Sequence, residues 1–346
     1  RLVAAENLRS FLWGHENWWV DSMARPLVLG LLLGAMGYWN GAVVLAALMV
    51  LFGMGLVARH RLEFAVIAAL ALALSVWQWS IFAGAASATP AARWQFGFLA
   101  TDTPPAGVVL YYLELLGVLI PLFIWAVLTA ARVQRALAVA FILPLLFATG
   151  VALTVDINAN HKFVMIAVAL GNIFVAALLV ELFRHRALWS KCLAVFVVAL
   201  LTATGIVDLR TLQIMNRGAL LFQFDDPTLA WVRRETPPGT LFLTHWSSLN
   251  PVLLAGRPIY YGWPYYAWSA GHDTADRDLR FKALYAVEDP AGFLPLARAE
   301  GIDYVVVDWE NRQSRDYRVN EAAIAAILPL VFSHPERDVR IYKVPP

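Results

Sequence analysis

A series of long apolar runs decides what this chain can fold into. A helix needs about 20 apolar residues, with about 17 as a lower limit, to cross the hydrocarbon core of a bilayer. The runs predict a polytopic α-helical membrane protein with about seven spans: 26–39, 41–58, 62–84, 107–130, 137–155, 163–183 and 191–209. The first run is short, so it either starts earlier or pairs with the second as a re-entrant hairpin.

The overall composition agrees with a membrane protein and excludes several other classes. Of 346 residues, 60% are hydrophobic and 15% are charged, whereas soluble domains carry about 25% charged residues. The net charge of +2 and the absence of a basic domain exclude nucleic acid as a partner. The single cysteine, Cys192, excludes an internal disulfide and a multi-cysteine metal site.

The chain divides into three predicted regions. Residues 1–25 combine apolar and charged positions and predict an amphipathic helix at the membrane surface. Residues 26–212 form the transmembrane domain. Residues 213–346 regain charges and turn residues and form a separate domain. The chain opens "RLVAAENLRS", without Met or a signal peptide, which fits a processed chain as well as part of something larger.

Positive charge in the loops predicts the orientation. Because cytoplasmic loops carry an excess of Lys and Arg, the strongly basic set of loops should be cytoplasmic. The opposite set holds only Arg93 and Lys162, with Arg210 just after the last span. We therefore expect a multi-pass membrane protein with the C-terminal domain on the outer side of the membrane. The basic set is Arg59, Arg61, Arg132, Arg135, Arg184, Arg186 and Lys191.

The C-terminal region alternates predicted helices and strands, which favours a small α/β domain. The helices are "PTLAWVRRE", "FLPLARAEG" and "NEAAIAAILPLVF". The strands are "LFLTH", "RPIYYG", "IDYVVVDW" and "VRIYKV". The Val run of "IDYVVVDW" is typical of a buried strand.

A polar turn, defined here as residues 154–162, separates the fifth and sixth runs. One interpretation is structural, since Asp and Asn suit turns and cap helices. The other is a lipid-phosphate site formed by Lys162, His161 and Asn160, because a helix N-terminus beside cationic side chains suits a phosphate. Asp156 would then orient Lys162 or a substrate hydroxyl.

Two further acids are weak candidates for a catalytic base beside Asp156. Glu114 lies inside the fourth run, where an ionisable group indicates function by default unless Tyr111 or another helix satisfies it. Asp102 lies in the outer loop "ARWQFGFLATDTPP". The aromatic residues of that loop suit interfacial anchoring.

An aromatic segment in the C-terminal domain, "YYGWPYYAWSAGHDTADRDLR", combines rings with polar groups. Such rings stack on sugars, which predicts a substrate cleft that includes Tyr266, Trp268, His272 and Arg277. The alternative is that the segment docks the domain onto the membrane bundle, because Tyr and Trp are common at interfaces. The histidines His161, His245, His272 and His334 are scattered, so no metal site is predicted.

Three segments together resemble the C-terminal half of GT-C-type polytopic glycosyltransferases, close to family-39-like and related bacterial membrane proteins. They are "WQFGFLATDTPPAGVVLYYLELLG", "DINANHKFVMIAVALGNIFVAALLVEL" and the outer stretch from "TPPGTLFLTH" to "GIDYVVVDWE". In order, they cover most of residues 90–346.

The resemblance implies transfer of a sugar from a polyprenyl-phosphate donor on the outer face, with Lys162 and His161 at the donor phosphate. It implies no required cofactor and leaves a divalent metal open. The partners would be membrane lipids, the lipid-linked sugar, and a missing N-terminal half or other membrane subunits. The alternative is a non-catalytic membrane scaffold subunit. A transporter fits less well, because only Glu114 suits ion coupling.

Overall fold

The computed structural model describes residues 14–83, 92–215, 224–247, 250–269 and 271–346. It divides into two compact units, Arg1–Gly218 and Ala219–Pro346. The first thirteen residues of the expected surface helix lie outside the described part. Its remainder holds a 3-10 turn, His15–Asn17, before the first α-helix begins at Ala24.

The first unit is built of apolar helices. Its helices are α1 (Ala24–Ala35), α2 (Gly41–Val57), α3 (Arg61–Ala83), α4 (Pro105–Leu116), α5 (Leu119–Thr129), α6 (Arg132–Gly150), α7 (His161–Arg184) and α8 (Leu188–Met215). Helix α8 runs past the expected domain boundary at 212, since apolar Ile214 and Met215 continue it.

Four of these helices, α3, α6, α7 and α8, are long and apolar enough to cross a membrane. The count becomes five if α4 and α5 form one span. Helix α1 with the 3-10 turn that follows it (Ala24–Tyr38) and helix α2 are apolar but shorter. The architecture is that of a helical membrane protein with a small sheet-containing region.

The fourth apolar run is broken. Helices α4 and α5 meet at an angle of 90°, where Gly117 has a φ of +51°. A left-handed conformation is costly for residues with a Cβ, so a glycine suits this break. Glu114, expected inside a continuous span, instead lies exposed on α4 before the break.

Glycines bring α1 and α3 into close contact. A Cβ added at Gly34 would lie 2.8 Å from Leu74 Cβ, and one at Gly30 would lie 2.9 Å from Leu70 Cβ. Small residues four apart allow two helix backbones to approach closely, which is how helices associate in lipid.

The second unit is α/β. Its helices are α9 (Pro227–Glu235), α10 (Pro251–Leu254), α11 (Pro264–Ser269), α12 (Ala275–Ala286), α13 (Pro290–Ala299), α14 (Trp309–Gln313) and α15 (Glu321–Ile327). Its strands are β3 (Phe242–Leu243), β4 (Tyr304–Val307), β5 (Leu330–His334) and β6 (Val339–Lys343). Strands β1 (Arg93–Trp94) and β2 (Val151–Ala152) belong to the first unit.

The mixed sheet has the order β3-β4-β6-β5, with β3 and β4 parallel and the other neighbours antiparallel. Val305, Val307 and Leu243 contribute to its fully buried core. The helix at 227–235 and the strand "YVVV" are confirmed.

Two predictions for this unit are wrong in detail. "RPIYYG" is not a full strand, because only Ile259 bridges to Phe242. "NEAAIAAILPLVF" does not continue as one helix. The helix ends at Ile327 and strand β5 begins at Leu330, because Pro329 cannot continue the helix.

Candidate functional site

One end of the helical unit is assembled from the 92–104 loop and the polar turn. Strand β1 (Arg93–Trp94) pairs antiparallel with β2 (Val151–Ala152). Gly97 N donates to Thr149 O at 2.8 Å, and Arg93 reaches the carbonyl of Thr154 at 3.4 Å. Two segments that are far apart in sequence, and that both carry the resemblance, therefore form one surface.

The polar turn is ordered by its own side chains. Asp156 Oδ1 accepts from Asn158 N at 2.9 Å and from Asn158 Nδ2 at 2.8 Å. This caps a 3-10 turn, Ile157–Asn160, that leads into α7. Asp156 is mostly buried, and capping is the role that Asp commonly takes before a helix.

Asn160 faces inward and is fully buried. Its amide nitrogen donates to the carbonyls of Val151 and Ala148. The amide therefore ties the start of α7 to the end of α6. Its Oδ1 is buried without a hydrogen-bond partner.

His161 and Lys162 begin α7, and both side chains are exposed. His161 Nδ1 lies 2.6 Å from Asn158 O, which leaves Nε2 on the outer side of the ring. Within the described part of the chain, Lys162 makes no hydrogen bond or ion pair. The side chains of His161 and Lys162 are thus presented at the N-terminus of a 24-residue helix, where the helix dipole favours an anion.

An apolar groove lies between α4, α5, α6 and α7, with a volume of about 460 Å³. Its lining includes Leu113, Ile124 and Leu146, which are 47%, 52% and 59% exposed. The groove is therefore open to the surroundings of the bundle. The polar groups of the lining belong to Tyr112 and Thr149, which are hydrogen-bonded to each other at 2.6 Å.

The groove extends toward the polar turn. Val168 of α7 lines it, and His161 lies seven residues earlier on the same helix, which places both on one face about 10 Å apart along the axis. At the end of α6, Thr149 lines the groove and also receives the backbone bond from Gly97.

The remaining two acid candidates lie on or beside α4. Asp102 is exposed, and its carboxylate packs against the Cα of Gly107, where an added Cβ would lie 2.5 Å from Oδ2. Asp102 thus lies beside the first turn of α4, where a negative charge favours the helix dipole. Glu114 is exposed near the other end of α4. The two acids thus lie at opposite ends of α4, Asp102 before its first residue and Glu114 in its last turn.

The aromatic segment of the α/β unit is divided between core and surface. Tyr266 and Trp268 lie on α11 and are 66% and 42% exposed. Tyr260 and Tyr261 are buried. His272, at the end of this turn, is half-buried and its backbone donates to Ala267 O at 3.0 Å. The exposed rings form a surface that a sugar or a lipid interface would fit.

Arg277 belongs to a separate polar network. Its guanidinium lies over the ring of Tyr260 at 5.3 Å. Tyr260 donates to Glu300 at 2.8 Å, and Arg280 bonds the same carboxylate at 2.6 Å. Burial and the hydrogen bond to Glu300 raise the pKa of Tyr260 to about 12. Tyr260 is therefore a neutral donor at physiological pH.

His245, for which the sequence predicted no role, lies between two carboxylates. His245 is buried, with Nε2 3.2 Å from Asp308 Oδ2 and Nδ1 2.9 Å from Glu310 Oε2. His245 follows β3 and Asp308 follows β4, so both lie at the carboxyl end of the parallel strand pair. That edge is where α/β proteins commonly place functional groups.

The charges around His245 change its protonation. Burial alone lowers the pKa of His245, but the hydrogen bond to Asp308 and the charges of Asp308 and Glu310 raise it above 6.5 overall. The signal in the sequence was a polar residue directly after each strand, in "LFLTH" and "YVVVD". Because His245 and Asp308 are distant along the chain, the sequence alone does not show that they meet.

Comparison with protein-family models and with curated proteins finds no match to this chain. Function therefore has to be inferred from the residues and their geometry.

Proposed function

We propose that this chain is an integral membrane glycosyltransferase of the GT-C type, or its C-terminal part, which transfers a sugar from a polyprenyl-phosphate donor. The observation that carries the proposal is the apolar groove leading to a helix N-terminus with His161 and Lys162. A polyprenyl phosphate has the matching shape, a long apolar chain that ends in an anion.

In this proposal each part of the donor meets complementary chemistry. The prenyl chain occupies the groove, where shape fit and van der Waals contacts with the apolar lining favour binding. The phosphate contacts Lys162 and His161 at the start of α7, where the helix dipole favours an anion. As the bond from the anomeric carbon to the phosphate oxygen breaks, the Lys162 ammonium and a hydrogen bond from His161 stabilise the negative charge on the leaving phosphate.

The reaction also needs a base that removes the proton from the acceptor hydroxyl. Asp102, Glu114 and Asp156 are the candidates. Asp156 already accepts two hydrogen bonds from Asn158 and Asp102 packs on α4, whereas Glu114 is exposed without a described partner. The exposed rings of Tyr266 and Trp268 in the α/β unit stay candidates for stacking on a sugar.

We also propose how many segments enter the membrane and on which side the α/β unit lies. Helices α1 and α2 would also enter the membrane, for about seven segments, and the α/β unit would lie on the periplasmic side of a bacterial inner membrane. The scarcity of Lys and Arg in the loops on that side supports this orientation. Labelling of single cysteines introduced into the α/β unit of intact cells tests it, after Cys192 is replaced.

Donor binding is tested with the full chain in nanodiscs, using polyprenyl phosphate and the uncharged polyprenol as probes. We expect the phosphate to bind more tightly, and Lys162→Ala to weaken it roughly tenfold or more, since bonds to charged groups contribute about 1.5–3 kcal/mol. Lys191→Ala is the matched control, because Lys191 is an exposed lysine in the first turn of α8. Equal binding of both lipids, or no effect of Lys162→Ala, would contradict the phosphate role.

Catalysis is tested separately by release of a labelled sugar from the polyprenyl-phosphate donor. We expect one of Glu114→Gln, Asp102→Asn and Asp156→Asn to abolish release while donor binding is retained. Donor binding without release by the unmodified chain would instead favour the scaffold alternative.

A further inference from the structure

Three potential metal ligands meet where α1 and α3 begin. Asp21 precedes α1, His60 directly precedes α3, and Glu63 lies in the first turn of α3. The backbone brings them together. Trp18 forms an antiparallel bridge with His60, and Asp21 N donates to Glu63 Oε1 at 3.1 Å. The cluster is therefore fixed by main-chain contacts between two segments.

The donor atoms of these side chains converge. His60 Nδ1 lies 3.9 Å from Asp21 Oδ2 and 3.9 Å from Glu63 Oε1. One ligand atom of each residue lies within 4.8 Å of the other two. Two carboxylates this close repel each other unless a cation lies between them.

The imidazole of His60 is held in place but incompletely bonded. The ring of Trp19 covers it at a centroid distance of 4.5 Å. His60 Nδ1 is buried and has no hydrogen-bond partner, although buried nitrogens of this kind nearly always have one. A buried ring nitrogen that lies near two carboxylates and makes no hydrogen bond suits a metal ion.

We infer that Asp21, His60 and Glu63 bind one Zn²⁺. Imidazole nitrogen and carboxylate oxygen are both zinc ligands, with bonds of about 2.0–2.2 Å. In a tetrahedral site such bonds put donor atoms about 3.3 Å apart, so side-chain rotations must close distances of 3.9 Å from His60 Nδ1 and of at most 4.8 Å between the carboxylates. The fourth position is left for water.

The ligand set separates zinc from other common cations. Mg²⁺ and Ca²⁺ prefer ligands that are all oxygen, whereas imidazole favours zinc and other transition metals. Bound zinc would neutralise the two carboxylates and tie the segment before α1 to the start of α3. It would thereby stabilise the N-terminal ends of α1 and α3, the two helices that Gly30 and Gly34 bring into contact.

The test uses the full chain in detergent, stripped of metal by a chelator and titrated calorimetrically with Zn²⁺ or Mg²⁺. Co²⁺, followed by its visible absorption, reports tetrahedral coordination. The variants are His60→Ala and the nearly isosteric Glu63→Gln. The matched control is His185→Ala, because His185 is an exposed histidine after α7. The thermal unfolding midpoint of each apo variant checks that it remains folded.

We expect one equivalent of Zn²⁺ to bind, with Mg²⁺ much weaker. Both ligand variants should lose at least about tenfold in zinc affinity, because even the loss of an outer-shell partner costs about 10–100-fold, and His185→Ala should bind as the unmodified chain does. The inference is overturned if the unmodified chain fails to bind Zn²⁺, or if Glu63→Gln and His60→Ala bind it unchanged. It is also overturned if acidification stabilises the chain through a protonated His60 while Zn²⁺ has no effect.

Discussion

His245 Nε2 lies 3.2 Å from Asp308 Oδ2, and the two side chains are only 7% and 13% exposed. The second oxygen of Asp308 accepts from Asn311 N at 2.9 Å and caps α14. One carboxylate therefore joins the end of β3 to the start of a helix after β4. The pair holds the carboxyl edge of the parallel strands and gives the α/β unit a pH-sensitive contact.

The first prediction concerns this pair. Because the pKa of His245 is raised in the folded state, protonation stabilises the fold. The contribution is fully present below pH 6.5, the ordinary histidine value, and is lost as pH rises through the raised pKa. Asp308→Asn should remove most of this pH dependence. It should also lower the free energy of unfolding by about 1.5–3 kcal/mol at low pH.

Denaturant unfolding of the full chain at several pH values measures this pH dependence by tryptophan fluorescence, to which Trp246, stacked on Phe281, contributes. Glu310→Gln is the control and should have a smaller effect, because Glu310 is 54% exposed and exposed ion pairs contribute little. An unchanged pH profile in Asp308→Asn would refute the assignment.

The second prediction separates the structural and binding roles of Asn160. Asn160→Asp replaces an amide donor by a carboxylate that faces the carbonyls of Ala148 and Val151. A buried carboxylate without donors is costly, so we expect a loss of about 1–3 kcal/mol and a lower thermal midpoint. Lys162→Ala is the control, since Lys162 begins the same helix, is exposed and makes no hydrogen bond within the described part of the chain. Equal midpoints for the two variants would mean that Asn160 does not hold the turn.

The third prediction tests the contact of α1 with α3. Gly34→Ala adds a Cβ 2.8 Å from Leu74 Cβ, so the helices must separate or Leu74 must move, at a cost of about 1–3 kcal/mol. Gly41→Ala is matched, because no atom lies within 4 Å of an added Cβ there. The thermal midpoint in detergent should fall for Gly34→Ala alone, and a similar fall in both variants would indicate a general effect of the substitution.

The fourth prediction concerns Arg257, a buried cation that bonds to backbone carbonyls. Its guanidinium donates to Thr236 O, Arg233 O and Ala255 O, at the C-terminal end of α9, where a cation favours the helix dipole. Lysine cannot reproduce this planar set of donors. Arg257→Lys should destabilise the unit by about 1–3 kcal/mol in chemical unfolding.

Arg234→Lys is the control for Arg257→Lys, because the Arg234 side chain is 76% exposed. If Arg257→Lys unfolds at the same denaturant concentration as the control, the carbonyl bonds contribute no net stability.

The strongly patterned parts of the fold follow from the sequence. The apolar runs predicted α2, α3, α7 and α8 closely, because a stretch of apolar residues in lipid must satisfy its own backbone as a helix. The strand "YVVV" (β4) follows from its β-branched residues. The helix "PTLAWVRRE" (α9) follows from its N-terminal cap. Both causes are local in the sequence. The roles of Lys162 and His161 in phosphate binding stay predictions.

What the sequence left open depended on contacts between distant residues. The 90° break at Gly117 was hidden because both sides of it are equally apolar. The pairing of Arg93–Trp94 with Val151–Ala152 converts the end of the predicted fifth span into a strand, and short strands carry little local signal.

The sequence by itself determined that this protein is a set of apolar helices followed by a small α/β unit, since hydrophobicity and turn chemistry act locally. Only the tertiary structure decided which polar side chains meet. His245 reaches Asp308 across 63 positions, and Asp21 reaches Glu63 across 42. Such pairs arise from strand order and helix packing, which depend on how the whole chain closes on itself.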